Sequence, residues 1–176
     1  MNRIVIFILI LCFFNACKQE RIRTFNAPKE IIPLISLSSN QDRLDWKIPE
    51  HWLSKSLNEF RKASYDIPVQ NAQSVDFSIV SFPGDAGGLL QNVNRWRQQL
   101  NLSPIDEQSI QSFVKIIEHE QLNIVLFEFD NSDSSMMVAV FSFNQETYFI
   151  KALGDTLSVN SIANDFIQVL YELQVG

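Results

Sequence analysis

Three segments in the second half of the chain carry bulky apolar residues on both of their alternating faces. In 122–129, Leu122, Ile124 and Leu126 share one side while Val125, Phe127 and Phe129 share the other. Segments 136–143 and 148–153 repeat the pattern. Successive strand side chains point to opposite faces, so a strand that is apolar on both needs cover on both. The chain must therefore build central strands with a packed layer above and below. Its 176 residues, 46% of them apolar and including only five glycines and six prolines, suffice for one ordered domain and exclude disordered or collagen-like classes.

The remaining segments supply the cover. Segment 74–82 alternates, with Val75, Phe77 and Ile79 opposite Asp76 and Ser78, and 113–119 alternates likewise. Segments 44–48, stopped by Pro49, and 58–67 suit shorter strands. The spacing of Leu89, Val93, Trp96 and Leu100 predicts a helix over 89–100, and that of Ile162, Phe166, Leu170 and Leu173 a second over 159–173. Asp155 or Ser158 suits the cap of the second, and 106–112 reads as a short third helix capped by Asp106. The polar run Asp130 to Ser135 reads as a hairpin turn and Asn144-Gln145 as a tight one. Runs of strands flanked by helices, without βαβ alternation, predict an α+β fold: a mainly antiparallel central sheet with helices packed on both faces.

Residues 42–176 are expected to form this single domain. Before it, 17–41 reads as a tether, interrupted by Pro28 and Pro33 and closed by Ser36, Ser38, Ser39 and Asn40. Ile31, Ile32, Leu34, Ile35 and Leu37 make part of it apolar enough to dock on a domain. Ahead of the tether, Arg3 is followed by an apolar run from Ile4 to Phe14. As a helix this run reaches about 17 Å, against a hydrocarbon core of about 30 Å, so it matches a secretory signal core and not a membrane span. The following Phe14-Asn15-Ala16-Cys17 resembles a bacterial lipoprotein signal. That resemblance implies cleavage after residue 16 and acylation of Cys17, with the chain held on a membrane by its N-terminal acyl chains. Phe14 and Asn15 depart from the leucine and small residue usual there; an ordinary signal peptide and a buried N-terminal helix are the alternatives. The expected location is the bacterial cell envelope, with the domain in the periplasm or at the cell surface.

Charge narrows the partners. The formal net charge is −6, which argues against a nucleic-acid binder. Residues 101–176 carry only Lys115 and Lys151 against eleven acidic residues, whereas the tether is mildly basic. A basic tether beside anionic headgroups is electrostatically sensible, and so is a plain distribution of solvated charges. Both cysteines, Cys12 and Cys17, precede the body, so neither a disulfide framework nor a cysteine metal site staples it. His51 and His119 are too few for an ordinary zinc site, and Glu118 and Glu120 share a strand face opposite His119. No nucleophile elbow occurs, and 130–141 lacks the glycine and closing glutamate of a calcium loop. No enzyme, metal or cofactor is expected.

The unusual residues concentrate in 82–100. Gly84, Gly87 and Gly88 fall between a strand and a helix, where glycine admits left-handed backbone angles. The turn is either structural or a ligand loop at a helix N-terminus; no Lys-Ser/Thr follows, and Asp85 suits a cap better than an anion site. Asn92, Arg95 and Gln99 form a polar strip beside the apolar stripe. With Asn94 and the turn residues Gly84, Asp85, Gly87 and Gly88, they make the candidate contact surface. Arg97 borders the apolar face and is expected to clamp the helix to the sheet through a buried carboxylate, the alternative being an anion or partner contact. Trp96 is expected in the core, and Trp46 and Trp52, around Pro49, either cap a core or stack on a ligand.

Taken together, Trp46-x-x-Pro49-x-x-Trp52, the 82–100 segment and Phe149-x-Lys151-x-x-Gly154 resemble an uncharacterised family of bacterial envelope proteins. Their order is also similar in layout to domains of the Mog1/PsbP type. The resemblance implies a non-enzymatic binding or assembly module whose partner is another envelope protein. The alternative is a binder of a small anion or sugar, held between the glycine-rich turn with its adjacent helix and Trp52.

Overall fold

The structure, a computed structural model, describes residues 43–176. The signal segment, Cys17 and the tether expected over 17–41 lie outside the described residues. Nine strands form: β1 (Leu44–Asp45), β2 (Leu53–Ser54), β3 (Arg61–Ile67), β4 (Val75–Pro83), β5 (Lys115–Ile117), β6 (Ile124–Asp130), β7 (Ser134–Phe143), β8 (Glu146–Asp155) and β9 (Gln174–Val175). Three helices accompany them: α1 (Leu89–Gln99), α2 (Thr156–Ser161) and α3 (Ala163–Tyr171). Seven strands make an antiparallel sheet in the order β2-β3-β4-β8-β7-β6-β5. Strands β1 and β9 pair separately.

The two-faced strands are central and are covered on both sides. On one face, Phe77, Ile79, Leu126, Ala139 and Ile150 pack with Val159, Phe166 and Leu170 of α2 and α3. On the other, Phe127, Phe129, Val138 and Phe149 pack with Val93, Trp96 and Leu100. Trp96 sits in that second core, 5.5 Å from the Phe149 ring and 6.0 Å from Phe127. The fold is thus α+β, with helices on both faces of an antiparallel sheet. Among the described residues no helix is long and apolar enough to cross a membrane.

Four elements differ from the sequence pattern. The 44–48 strand is only β1, paired not with the main sheet but with β9, where Arg43 and Gly176 exchange backbone hydrogen bonds of 2.8 and 2.9 Å. The 113–119 strand is the short β5. The 106–112 helix is a turn followed by a 3-10 turn at Ile110–Phe113 whose N-cap is Ser109; Asp106 accepts from the Ser109 N–H at 2.8 Å within the first turn only. The 159–173 helix starts earlier and breaks at Ile162. Asp155 is its N-cap, accepting from the Ser158 N–H at 2.9 Å. At the break the Ser161 hydroxyl donates to the Ser158 carbonyl, and the Ile162 N–H donates to the Val159 carbonyl.

Candidate functional site

The glycine-rich turn is held by its own hydrogen bonds. Gly84, Ala86, Gly87 and Gly88 all have positive φ, the last at 89°, and a Cβ on Gly88 would meet the Gln91 side chain at 2.9 Å. The Gly84 N–H donates to the Gln145 carbonyl, and the Thr147 hydroxyl donates to the Gly84 carbonyl at 2.6 Å. Asp85 does not cap α1; its carboxylate accepts from the Gly87 N–H within the turn, and the N-cap is Gly88.

Asn92 also departs from its expected role at the surface. It is buried, and its amide donates to the Ala86 and Gly88 carbonyls at 3.0 and 2.8 Å, tying α1 to the turn before it. Asn94 is a second clamp: its amide donates to the Ile105 carbonyl and accepts from the Ile105 N–H. Arg95 and Gln99 remain exposed. Arg95 donates to the Asn92 side-chain oxygen at 2.8 Å. The structure therefore divides the candidate residues: Gly84, Asp85, Gly87, Gly88, Asn92 and Asn94 shape the surface, while Arg95 and Gln99 present it.

Among the described residues Arg97 pairs with no carboxylate. Its Nε–H donates to the Ser103 carbonyl at 2.8 Å, and its guanidinium lies 5.0 Å from the Phe113 ring centre and 5.6 Å from that of Phe129. A flat, weakly hydrated cation is satisfied by ring faces and a carbonyl. The expected buried ion pair is thus replaced by stacking, and the clamp runs to the 103–113 segment.

An open groove of about 570 Å³ runs along the outer side of α1, lined by Leu90, Gln91, Asn94, Arg95, Gln98 and Leu102, among others. The Asn94–Ile105 clamp holds its two walls together. Trp52 lies elsewhere. It belongs to the core on the α2–α3 face, 4.7 Å from the Phe77 ring, whereas Ala86 and Leu90 pack on the α1 face. No ligand pocket between Trp52 and the glycine-rich turn is formed. Trp52 is a core residue whose buried indole N–H has no hydrogen-bond partner among the described residues.

The histidines join the chain to itself. His119 Nε2 lies 3.0 Å from the Leu173 carbonyl, to which it donates, while its Nδ1 accepts from the Gln121 and Leu122 N–H groups. His51 stands 3.6 Å from Asp165, with both side chains about half exposed. Among the described residues no three metal-ligating groups converge.

A second polar locus was not singled out in the sequence. On the α1 face of the sheet, β3, β4 and β8 bring Arg61, Ser64, Asp66, Asp76, Ser78 and Lys151 together in register. Lys55 bonds Asp66 and Asp76, both at 2.9 Å, and Arg61 grips Asp76 with two bonds and Ser64 with a third. Burial alone would raise the Asp76 carboxyl, but the Arg61 and Lys55 bonds outweigh it and hold it below its usual range. Bonds from Asp66 and Asp76 raise Lys55. Burial lowers Lys151. The available signal was Lys151 itself, the one charge in the otherwise apolar 148–153 segment.

No protein-family model matches the chain, and no curated protein matches its sequence. Among solved structures it is similar to cyanobacterial PsbP from Synechocystis sp. PCC 6803, at 11% identity and TM-score 0.47 over 79% of this chain and 95% of that one. It is similar also to a protein from Bacteroides thetaiotaomicron, at 10% identity and TM-score 0.46. That match covers 76% of this chain, which spans 45% of the other's length.

Proposed function

We propose that the chain is a non-catalytic binding or assembly module of the bacterial cell envelope, held on a membrane through acyl chains on Cys17, and that it contacts another envelope protein through α1. One observation carries the contact surface. The groove beside α1 is walled by residues whose backbone is pinned by Asn92 and Asn94, and the exposed Arg95 guanidinium lines it. A preformed groove loses little conformational freedom on binding, which favours recognition. The His119 environment supports a non-catalytic role, since both its ring nitrogens are committed to backbone groups of its own chain.

Two measurements test this reading. Intact-mass analysis of the membrane fraction should find the chain starting at an acylated Cys17, and Cys17→Ser should release it from that fraction. A photo-crosslinking residue at Gln98 should capture a discrete protein that one at Glu172 does not. An unmodified Met1 start overturns the anchor, and equal capture from both positions overturns the surface.

A further inference from the structure

Lys151 occupies an unusual place. It sits on β8, between Ser78 of β4 and Val138 of β7, where the sheet face passes from polar to apolar. On the apolar side α1 provides cover. On the polar side Lys55 pairs with Asp66 and Asp76, and Arg61 with Asp76. Lys151 is half-buried at the boundary, and none of the ion pairs among the described residues includes it. Its Nζ donates to the Gln99 side-chain oxygen at a long 3.4 Å. Lys115, the other cation of 101–176, does pair, with Glu128. An acid-rich half thus leaves this half-buried lysine outside every ion pair among the described residues, and Asp76 attracts it only at longer range.

We propose that Lys151 is a binding site for an acidic side chain of the partner protein, received at the edge of α1 between Gln99 and the β4–β8 floor. The lysine has donors to spare, and Arg95, one helical turn before Gln99 on the same strip, adds a second cation at the rim. The neighbouring Asp76 carboxylate disfavours a phosphate dianion and tolerates a single carboxylate. The proposal rests on the assembly-module reading and extends its contact surface from the outer groove across the polar strip of α1 to the sheet.

The test uses the full-length chain with 13C-labelled lysine, titrated with a tetraglutamate peptide, a tetraglutamine peptide and inorganic phosphate. The glutamate peptide should shift the Lys151 ε-methylene signal and the glutamine peptide should not. Lys151→Met and Lys151→Gln should each weaken glutamate-peptide binding at least tenfold, with thermal stability unchanged or raised. Equal shifts from both peptides, tighter binding of phosphate, or undiminished binding by both variants overturns the site. A large loss of stability in both variants overturns it too, by making the lysine structural. If the Gln98 crosslink captures nothing while the glutamate peptide still saturates Lys151, the module reading fails and the carboxylate site stands.

Discussion

Asn92 and Arg95 lie on one strip of α1 and touch each other, yet burial gives them opposite tasks. Asn92 has both amide hydrogens committed to turn carbonyls, so Asn92→Ala strands two acceptors and a cavity; urea denaturation should show a loss of about 1–3 kcal/mol. Arg95 is exposed and gives up one neutral bond, so Arg95→Ala should leave the urea midpoint nearly unchanged while weakening partner capture. A midpoint drop matching that of Asn92→Ala would make Arg95 structural. Arg97 requires a different account. Its stacking on Phe113 and Phe129 and its bond to Ser103 predict a loss of about 1–2 kcal/mol for Arg97→Ala. Arg97→Lys should recover only part, because an ammonium presents no flat face to the rings. Full recovery would show that charge, not shape, holds the clamp.

At the scale of elements, alternation made the central strands legible, because Leu122–Phe129 and its two successors have to be covered on both faces wherever they sit. The positions of Trp96 and of the helix stripes followed from the 3.6-residue period. What escaped was decided by local hydrogen bonding and by tertiary partners. The 3.6-residue apolar stripe runs on through Ile162, yet the helix breaks there, beside the Ser161 hydroxyl bonded to the Ser158 carbonyl. Arg97 was misassigned for a similar reason: the sequence shows that a cation borders the core but not that Phe113 and Phe129 will meet it. The β1–β9 pairing joins the two ends of the described chain, which no local pattern encodes. The β7–β8 hairpin offers an element-scale test. Asn144 and Gln145 both have positive φ, 48° and 61°, as a two-residue turn matched to strand twist requires. Asparagine accepts that conformation and glutamine resists it. Gln145→Gly should therefore stabilise the chain by up to about 1 kcal/mol in thermal unfolding, whereas a decrease would mean that the glutamine side chain holds the turn.

Across the whole molecule, the α1 face of the sheet is closed in two ways: by a helix over β6 and β7, and by an ion network over β3 and β4. The two should respond differently to pH. Asp76 is held below the ordinary carboxylate range, so its contribution is complete above the unfolded-state carboxyl pKa and disappears as pH falls through the lower folded value. Lys55 is raised, so its contribution holds below the ordinary lysine pKa and is lost as pH rises through the higher folded value. Lys151 is lowered and acts in the opposite sense, its ammonium costing stability until pH rises through its folded value. On the alkaline limb the two lysines thus oppose each other, while on the acid limb Asp76 acts without opposition from either. The exposed carboxylates of Asp106 and Asp155 are also lowered, chiefly by bonds from Ser109 and Ser158, and contribute to the same limb. Asp76→Asn should consequently lower the urea midpoint most near neutral pH and shrink, without abolishing, the acid-side slope. Wild-type and variant midpoints should draw together as pH falls below the ordinary carboxyl pKa and through the lowered Asp76 value. A gap that keeps its neutral size down that range would mean that Asp76 acts through packing and hydrogen-bond shape, and that the outer half of the sheet is not closed by charge.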